Sequence, residues 1–297
     1  MTTTTADAGV VVVPKPESRT ERVMRRVGKA PVHIVLLIIG LLWLVPTFGL
    51  FIVSIFDPAQ SATEGWWNIF SDPSLATLDN YTTLFNNESM VHALIVTALV
   101  TAGATVLPVM IAALAGYAFA WIDFPGRDVI FILIIGLLAL PIQMALIPIF
   151  RLYNWTSLYD TVFGLILFHT AFSLPFSIFL LRNFFVGIPK DLMEAARIDG
   201  AGELRIFFRL ILPLGLPAVA SLAIFQVLFV WNDLLVGLTL AQDNQPIAAT
   251  ISLQLRQFGS NLDIIAPAAF ISLVIPLTIF LSFQRYFVQG LLAGSVK

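Results

Sequence analysis

GIPKDLMEAARIDGAGELRIFFRLILP, residues 187–213, is a charged interruption between two long apolar blocks. It is longer and more polar than a plain connection requires. Pro189 suits a first helical position. Asp191 and Glu194 lie in the early turns, where a helix dipole favours acids. Leu192, Ala195 and Ala196 recur at i, i+3 and i+4 and share a face. Gly200 is placed to end that helix in a left-handed conformation. A second helix is expected next, with Leu204, Phe207, Phe208 and Ile211 as its apolar stripe and Arg205 and Arg209 as a basic edge. The segment therefore reads as a short helix across a membrane face, a glycine bend and a lead-in to an apolar span. Two uses remain open: the low-relief alanine surface receives another protein, or the helix rests on lipid headgroups.

Outward from this segment the chain is built for lipid. Of its 297 residues, 58% are hydrophobic and only 11% charged, against about 25% charged in ordinary globular chains. The apolar residues fall into blocks of about the 20 residues a crossing helix needs. Six spans are expected, at 33–56, 91–122, 129–150, 161–182, 213–240 and 264–288. Pro46, Pro108, Pro141, Pro148, Pro175, Pro217 and Pro276 lie within them and tend to kink helices. Residues 1–30 read as a polar N-terminal tail and 31–297 as one transmembrane domain. The apolar block after the tail is full length and no cleavage site stands out, so it reads as a retained helix.

Lys and Arg favour the cytoplasmic side. Placing the tail, Arg127, the 182–209 segment, Arg285 and Lys297 there leaves only Arg151 and Arg256 outside. Both termini are then cytoplasmic. The outer loop 57–88 carries five acids and no Lys or Arg, and Trp66 and Trp67 suit the outer headgroup level. The chain has no cysteine, so thiol chemistry and disulfides are excluded. Basic residues are sparse and carry no interleaved aromatic platform, which argues against nucleic acid.

The 187–213 segment resembles the EAA loop of binding-protein-dependent ABC importer permeases. Glu194-Ala195-Ala196 is followed at the family's spacing by Gly200, then by Leu210, Ile211, Leu212 and Pro213, with Leu210 where isoleucine is usual. Asn80-Tyr81, Gly116-Tyr117-Ala118, Phe124-Pro125-Gly126-Arg127 and Trp231-Asn232-Asp233 are similar to the carbohydrate-uptake, MalG-like branch. So is the ending from Gly290 to Lys297, where Leu292 replaces a usual threonine. The resemblance implies an all-α membrane protein with the six-helix, MetI-like fold of type I importers, in a bacterial inner membrane. It implies a sugar importer working by alternating access with a second homologous permease, an ATPase dimer and an extracytoplasmic solute-binding protein. It also implies that Glu194, Ala195, Ala196, Asp199, Gly200, Leu212 and Pro213 couple to the ATPase, and that Gly290, Ala293, Gly294, Val296 and Lys297 reach it through the tail. The segment 242–263, by chemistry a polar loop, faces the binding protein in that family.

Ionisable groups inside spans are costly and commonly functional. Asp233 is the foremost, with Gln226, Phe229, Trp231 and Asn232 near it. Amide, acid and ring together suit a sugar; the same groups also suit a network tying this span to its neighbours. His169 reads as a neutral, hydrogen-bonded bundle residue, and Gln143 as an interhelical hydrogen-bonder. No second histidine at ligand spacing accompanies His169, so no metal is expected. The phosphate-binding G-x-x-x-x-G-K-[ST] pattern is missing, as are the H-E-x-x-H and G-x-S-x-G motifs. The chain is thus expected to have no catalytic residues and no cofactor of its own, with ATP and magnesium held by the partner. An ion-coupled secondary transporter and a permease for another polar solute are the rival readings.

Overall fold

A computed structural model describes residues 19–61, 65–258 and 261–293. These residues are helical apart from turns and one isolated bridge between Phe56 and Ala76. In chain order the helices are α1 (Arg19–Ser54), α2 (Pro58–Ser61), α3 (Asp79–Asn86), α4 (Glu88–Trp121), α5 (Arg127–Leu137), α6 (Ile142–Thr156) and α7 (Val162–Val186). The remaining helices are α8 (Lys190–Ile198), α9 (Glu203–Ile206), α10 (Leu212–Trp231), α11 (Leu235–Leu240), α12 (Ile247–Phe258) and α13 (Leu262–Ala293). The all-α class expected from the sequence holds among the described residues.

Among the described residues, five segments are long and apolar enough to cross a bilayer: Pro31–Ser54, Glu88–Trp121, Val162–Val186, Glu203–Trp231 and Leu262–Arg285. The expected third span is not one rod. It is α5 and α6, bent by 97° at their junction, and it makes the sixth crossing when the pair counts as one. Pro141 causes the break: it lacks an N–H and holds the residue before it out of the α region. Its own backbone is extended, at φ −65° and ψ 132°, and it becomes the N-cap of α6. Pro108, Pro148, Pro175, Pro217 and Pro276 instead sit inside continuous helices.

The described residues up to Gly49 and those from Leu50 onward form two compact units. In the first, α1 starts at Arg19, so part of the segment expected as a polar tail is already helix. In the second, α4 and α7 run side by side in the same direction. A Cβ on Gly103 would fall 2.5 Å from Ile166 Cδ1, and one on Gly116 would fall 3.0 Å from the Arg182 nitrogen. Glycine at 116 is what lets the two backbones approach. Gln226 Nε2 donates to the Ala104 carbonyl (3.1 Å) and ties α10 to α4; Trp231 Nε1 donates to the Ser272 carbonyl (2.9 Å) and ties α10 to α13.

Span five ends at Trp231 rather than near Leu240. Asp233 accepts from the Val236 N–H at 2.9 Å and the Gly237 N–H at 3.4 Å, capping a new helix, α11, after the break. The expected polar loop 242–263 likewise contains a helix, α12. Gln143, expected to bond between helices, lies exposed in the first turn of α6. The motif Phe124-Pro125-Gly126-Arg127 forms the α4–α5 turn. Gly126 takes φ +81°, and Arg127 Nη1 donates to Asp123 Oδ1 at 2.6 Å.

Candidate functional site

The segment 187–213 lies at one end of the bundle, following α7 and packed on the ends of α4 and α7. Pro189 is the N-cap of α8 rather than its first helical residue, with ψ 133° still extended. Gly200 has φ +77°, and the bend closes as expected. The Ala201 N–H donates to the Ala196 carbonyl (3.1 Å) and the Gly200 N–H to the Arg197 carbonyl (3.0 Å). This is a Schellman closure, which fills carbonyls left unpaired at a helix end.

One face of α8 is anchored and the other is open. Met193 is 1% exposed and packs in a cluster with Tyr117, Phe185, Ile206, Phe207 and Ile211. Glu194, Ala195, Asp199 and Gly200 are exposed, Ala196 is half-buried and Leu192 is exposed. The face expected from Leu192 and the alanines is thus the outward one, and the anchor is its neighbour in sequence. The second stripe differs from expectation too. Ile206, Phe207 and Ile211 are buried, whereas Leu204 and Phe208 are exposed. The cause is a π turn over Phe207–Ile211, which adds a residue to the turn and so shifts the facing of its neighbours. Leu212 and Pro213 open α10 directly after it.

Side chains from three helices fasten this end. Arg197 Nε donates to Glu203 Oε1 at 3.1 Å across the glycine bend, and Arg197 Nη2 donates to the Trp121 carbonyl at 3.0 Å. Tyr117 Oη donates to Glu203 Oε2 at 2.5 Å. Trp121 Nε1 in turn donates to the Phe185 carbonyl at 3.1 Å. Sequence reasoning missed this network. Its one visible trace was the opposite charges of Arg197 and Glu203 straddling Gly200; nothing in the sequence paired Tyr117 with either.

The second candidate group, around Asp233, is not brought together as one surface. Gln226 and Trp231 are buried and donate to backbone carbonyls of neighbouring helices. Asn232 is exposed and donates back to the Leu228 carbonyl of its own helix (2.8 Å). Phe229 is 43% exposed. His169 is buried, with Nε2 4.0 Å from Asp233 Oδ2 and Nδ1 lacking a hydrogen-bond partner. Of the expected tail contacts, Gly290 and Ala293 lie in the last turns of α13. Gly294, Val296 and Lys297 fall outside the described residues.

At the opposite end, Asp160 sits at φ +57° between α6 and α7. Its Oδ1 accepts the N–H groups of Gln242, Asp243 and Asn244 at 2.8, 3.0 and 2.8 Å. Burial pushes its carboxyl up, but these donors outweigh burial and hold it below the ordinary aspartate value. Asn80 and Tyr81 also work at this end. Asn80 Nδ2 donates to the Ser54 and Phe56 carbonyls at 3.2 and 2.8 Å, and Tyr81 Oη lies 2.8 Å from Ser54 Oγ.

Residues 108–293 match the family described as binding-protein-dependent transport system inner membrane component. The osmoprotective compounds uptake permease protein GgtD of Synechocystis is 44% identical over 275 residues, covering 91% of this chain and 92% of the relative. The alpha-glucoside transport system permease protein AglG of Rhizobium meliloti is 44% identical over 233 residues, covering 76% of this chain and 61% of that one. The arabinooligosaccharides transport system permease protein AraQ of Bacillus subtilis is 33% identical over 264 residues, covering 88% and 93%. In fold, the chain is similar to a chain from a bacterial ABC transporter that imports the acidic polysaccharide alginate. The TM-score is 0.71 at 21% identity, over 91% of this chain and 99% of the other.

Proposed function

This chain belongs to the family of binding-protein-dependent transport system inner membrane components, and from that membership we propose that it is the permease of an ATP-driven importer for a sugar. Its termini lie in the cytoplasm. It pairs with a second homologous permease across the solute path, and an ATPase dimer supplies the energy. The observation that carries the reading is the exposed face of α8. Glu194 and Ala195 on this helix, and Asp199 and Gly200 just after it, are exposed, while its other side is fixed by Met193. That arrangement offers a flat, small-residue surface to a partner while keeping the helix attached to the bundle. ATP binding draws the docked α8 helices together and opens the path outward; hydrolysis resets it. The tail from Gly290 reaches toward the same ATPases.

Within the solute path, Gln226 and Trp231 hold helices together, which leaves Phe229, Asn232 and Asp233 as the groups able to face a solute. A ring and two polar groups suit a neutral sugar. The alpha-glucoside name of AglG favours a glucoside. The name of GgtD favours a second reading, a polar osmoprotective compound.

The chain has no cysteine, so single cysteines at Ala195 or Ala196 give clean crosslinking sites. They are expected to capture an ATP-hydrolysing subunit in cells. Vesicles holding the complete system are expected to take up an alpha-glucoside only with ATP and the binding protein. Uptake by this chain alone, driven by an ion gradient, would overturn the reading.

A further inference from the structure

We propose that Glu203 is the centre of a strut that carries motion of α8 into α4 and α7, rather than leaving it to the covalent path into α10. The proposal rests on the reading of α8 as the partner-facing helix. The backbone route from α8 is soft. It runs through Gly200 and Gly202, and nothing lies within 4 Å of where a Cβ would sit on either. It then passes the π turn over Phe207–Ile211. A push on α8 delivered only along this route is absorbed by rotation at the glycines.

The side chains bypass the glycines. The two oxygens of the Glu203 carboxylate serve two elements. Oε1 takes Arg197 from α8, and Oε2 takes Tyr117 from α4. Arg197 also reaches the Trp121 carbonyl at the end of α4, where helix carbonyls lack partners and a cation is favoured. The Trp121 indole passes the link to the Phe185 carbonyl near the end of α7. Tyr117 is further held by its ring against Phe207, with centroids 5.4 Å apart.

Stability does not require this arrangement. The Arg197 and Glu203 side chains are 42% and 43% exposed, and exposed ion pairs contribute little to folding. Met193, buried in the core cluster, seats α8 together with Ala196 packed against that cluster. What the strut adds is a fixed geometry between α8 and the ends of α4 and α7, so Glu203, Arg197 and Tyr117 are positioning residues for transport.

The test uses the complete transporter in proteoliposomes, with its ATPases and binding protein. Glu203→Gln and Tyr117→Phe are expected to lower solute imported per ATP hydrolysed by about fivefold or more, a typical coupling between sites. Co-purification of the ATPase is expected to be unchanged, and the double variant no worse than either single one. Because the chain is cysteine-free, spin labels on Ile198→Cys and Asp123→Cys report the distance from α8 to the turn that follows α4. That distance is expected to stay constant on ATP binding in the otherwise unaltered chain and to change on ATP binding in Glu203→Gln. An unchanged import ratio in both variants overturns the proposal, and so does loss of ATPase co-purification or a label distance that already shifts without the mutation. Absence of ATP-driven uptake with the unaltered chain overturns the functional reading itself.

Discussion

The two ends of the bundle are fastened by different kinds of bond. At the α8 end an arginine, a glutamate and a tyrosine are tied to one another, two of them more than two-fifths exposed, around a glycine bend with open space beside it, and Arg197 and Trp121 each reach one helix-end carbonyl. At the opposite end the ties engage the backbone. One Asp160 oxygen accepts three consecutive N–H groups, the Asp160 N–H donates to the Leu240 carbonyl at 3.0 Å, and the Asp160 carbonyl accepts from Asn244 Nδ2 at 2.7 Å. Thr97 Oγ1 accepts the Ile247 N–H at 2.7 Å and so holds the start of α12 against α4. Side-chain ties to a glycine bend allow a pivot. Backbone ties fix a loop in one shape. If α8 moves as proposed, the pivot lies at its glycine bend while the Asp160 end stays fixed.

Gly116 marks where the α8 end meets the packed pair α4 and α7. A Cβ there lies 3.0 Å from the Arg182 nitrogen and 3.2 Å from Leu181 Cβ, so the relief must come from backbone. Gly116→Leu is expected to force α4 and α7 apart, at about 1–3 kcal/mol or more for overpacking. A clear fall in the thermal midpoint of the detergent-purified protein checks this. An unchanged midpoint would mean that the α8 end is loose well into the bundle, and the contrast between the ends would dissolve.

Gly200 tests the bend alone. Because nothing surrounds its missing Cβ, Gly200→Val meets no clash and suffers only the left-handed backbone, about 1–2 kcal/mol. Membrane insertion is expected to be unchanged and the thermal midpoint to fall by no more than in Gly116→Leu, while solute uptake stops. Normal uptake would show that the bend need not keep its shape.

At the fixed end, Asp160→Ala loses the acceptor for three N–H groups and places alanine at φ +57°. Amides of Gln242, Asp243 and Asn244 are expected to exchange with solvent faster by about tenfold, from a loss of about 1–2 kcal/mol. Transport is expected to fall less than in Gly200→Val. A larger fall would make this end a moving part as well.

The α8 end was the more legible in the sequence, for a physical reason. A glycine that must be left-handed, a start enriched in acids and an alanine face are local signals, set by spacing within one helix. The π turn is also local, yet it rotated Phe208 and Leu204 outward and buried Ile206, which a 3.6-residue period does not reveal. Glu203 with Tyr117 and Asp160 with the 242–244 loop join residues far apart in sequence, and only the packing of α4 beside α7 and α10 brings them together. The solute-path residues show the same limit. Composition marked Gln226 and Trp231 as polar groups in a span; it gave no sign that their donors go to the Ala104 and Ser272 carbonyls.

Asp160 also gives the finest comparison of the two ends, through its titration. Its carboxyl in the folded chain lies below the ordinary value of 3.8. A depressed acid contributes its stabilisation fully above the unfolded value and loses it as pH falls through the folded one. Protection of the Gln242, Asp243 and Asn244 amides, corrected for intrinsic exchange, is therefore expected to be flat from about pH 7 to 5 and to decline only below about pH 4. In Asp160→Asn, which keeps one acceptor oxygen and tolerates a left-handed backbone, protection is expected to be slightly lower and independent of pH throughout. Raising salt is expected to leave these amides unchanged, because their donors carry no charge. The Arg197–Glu203 tie at the other end loses strength as its two charges are screened. If salt instead loosened the 242–244 amides as much as it loosened α8, the division between a backbone-fixed end and a charge-tied end would not hold.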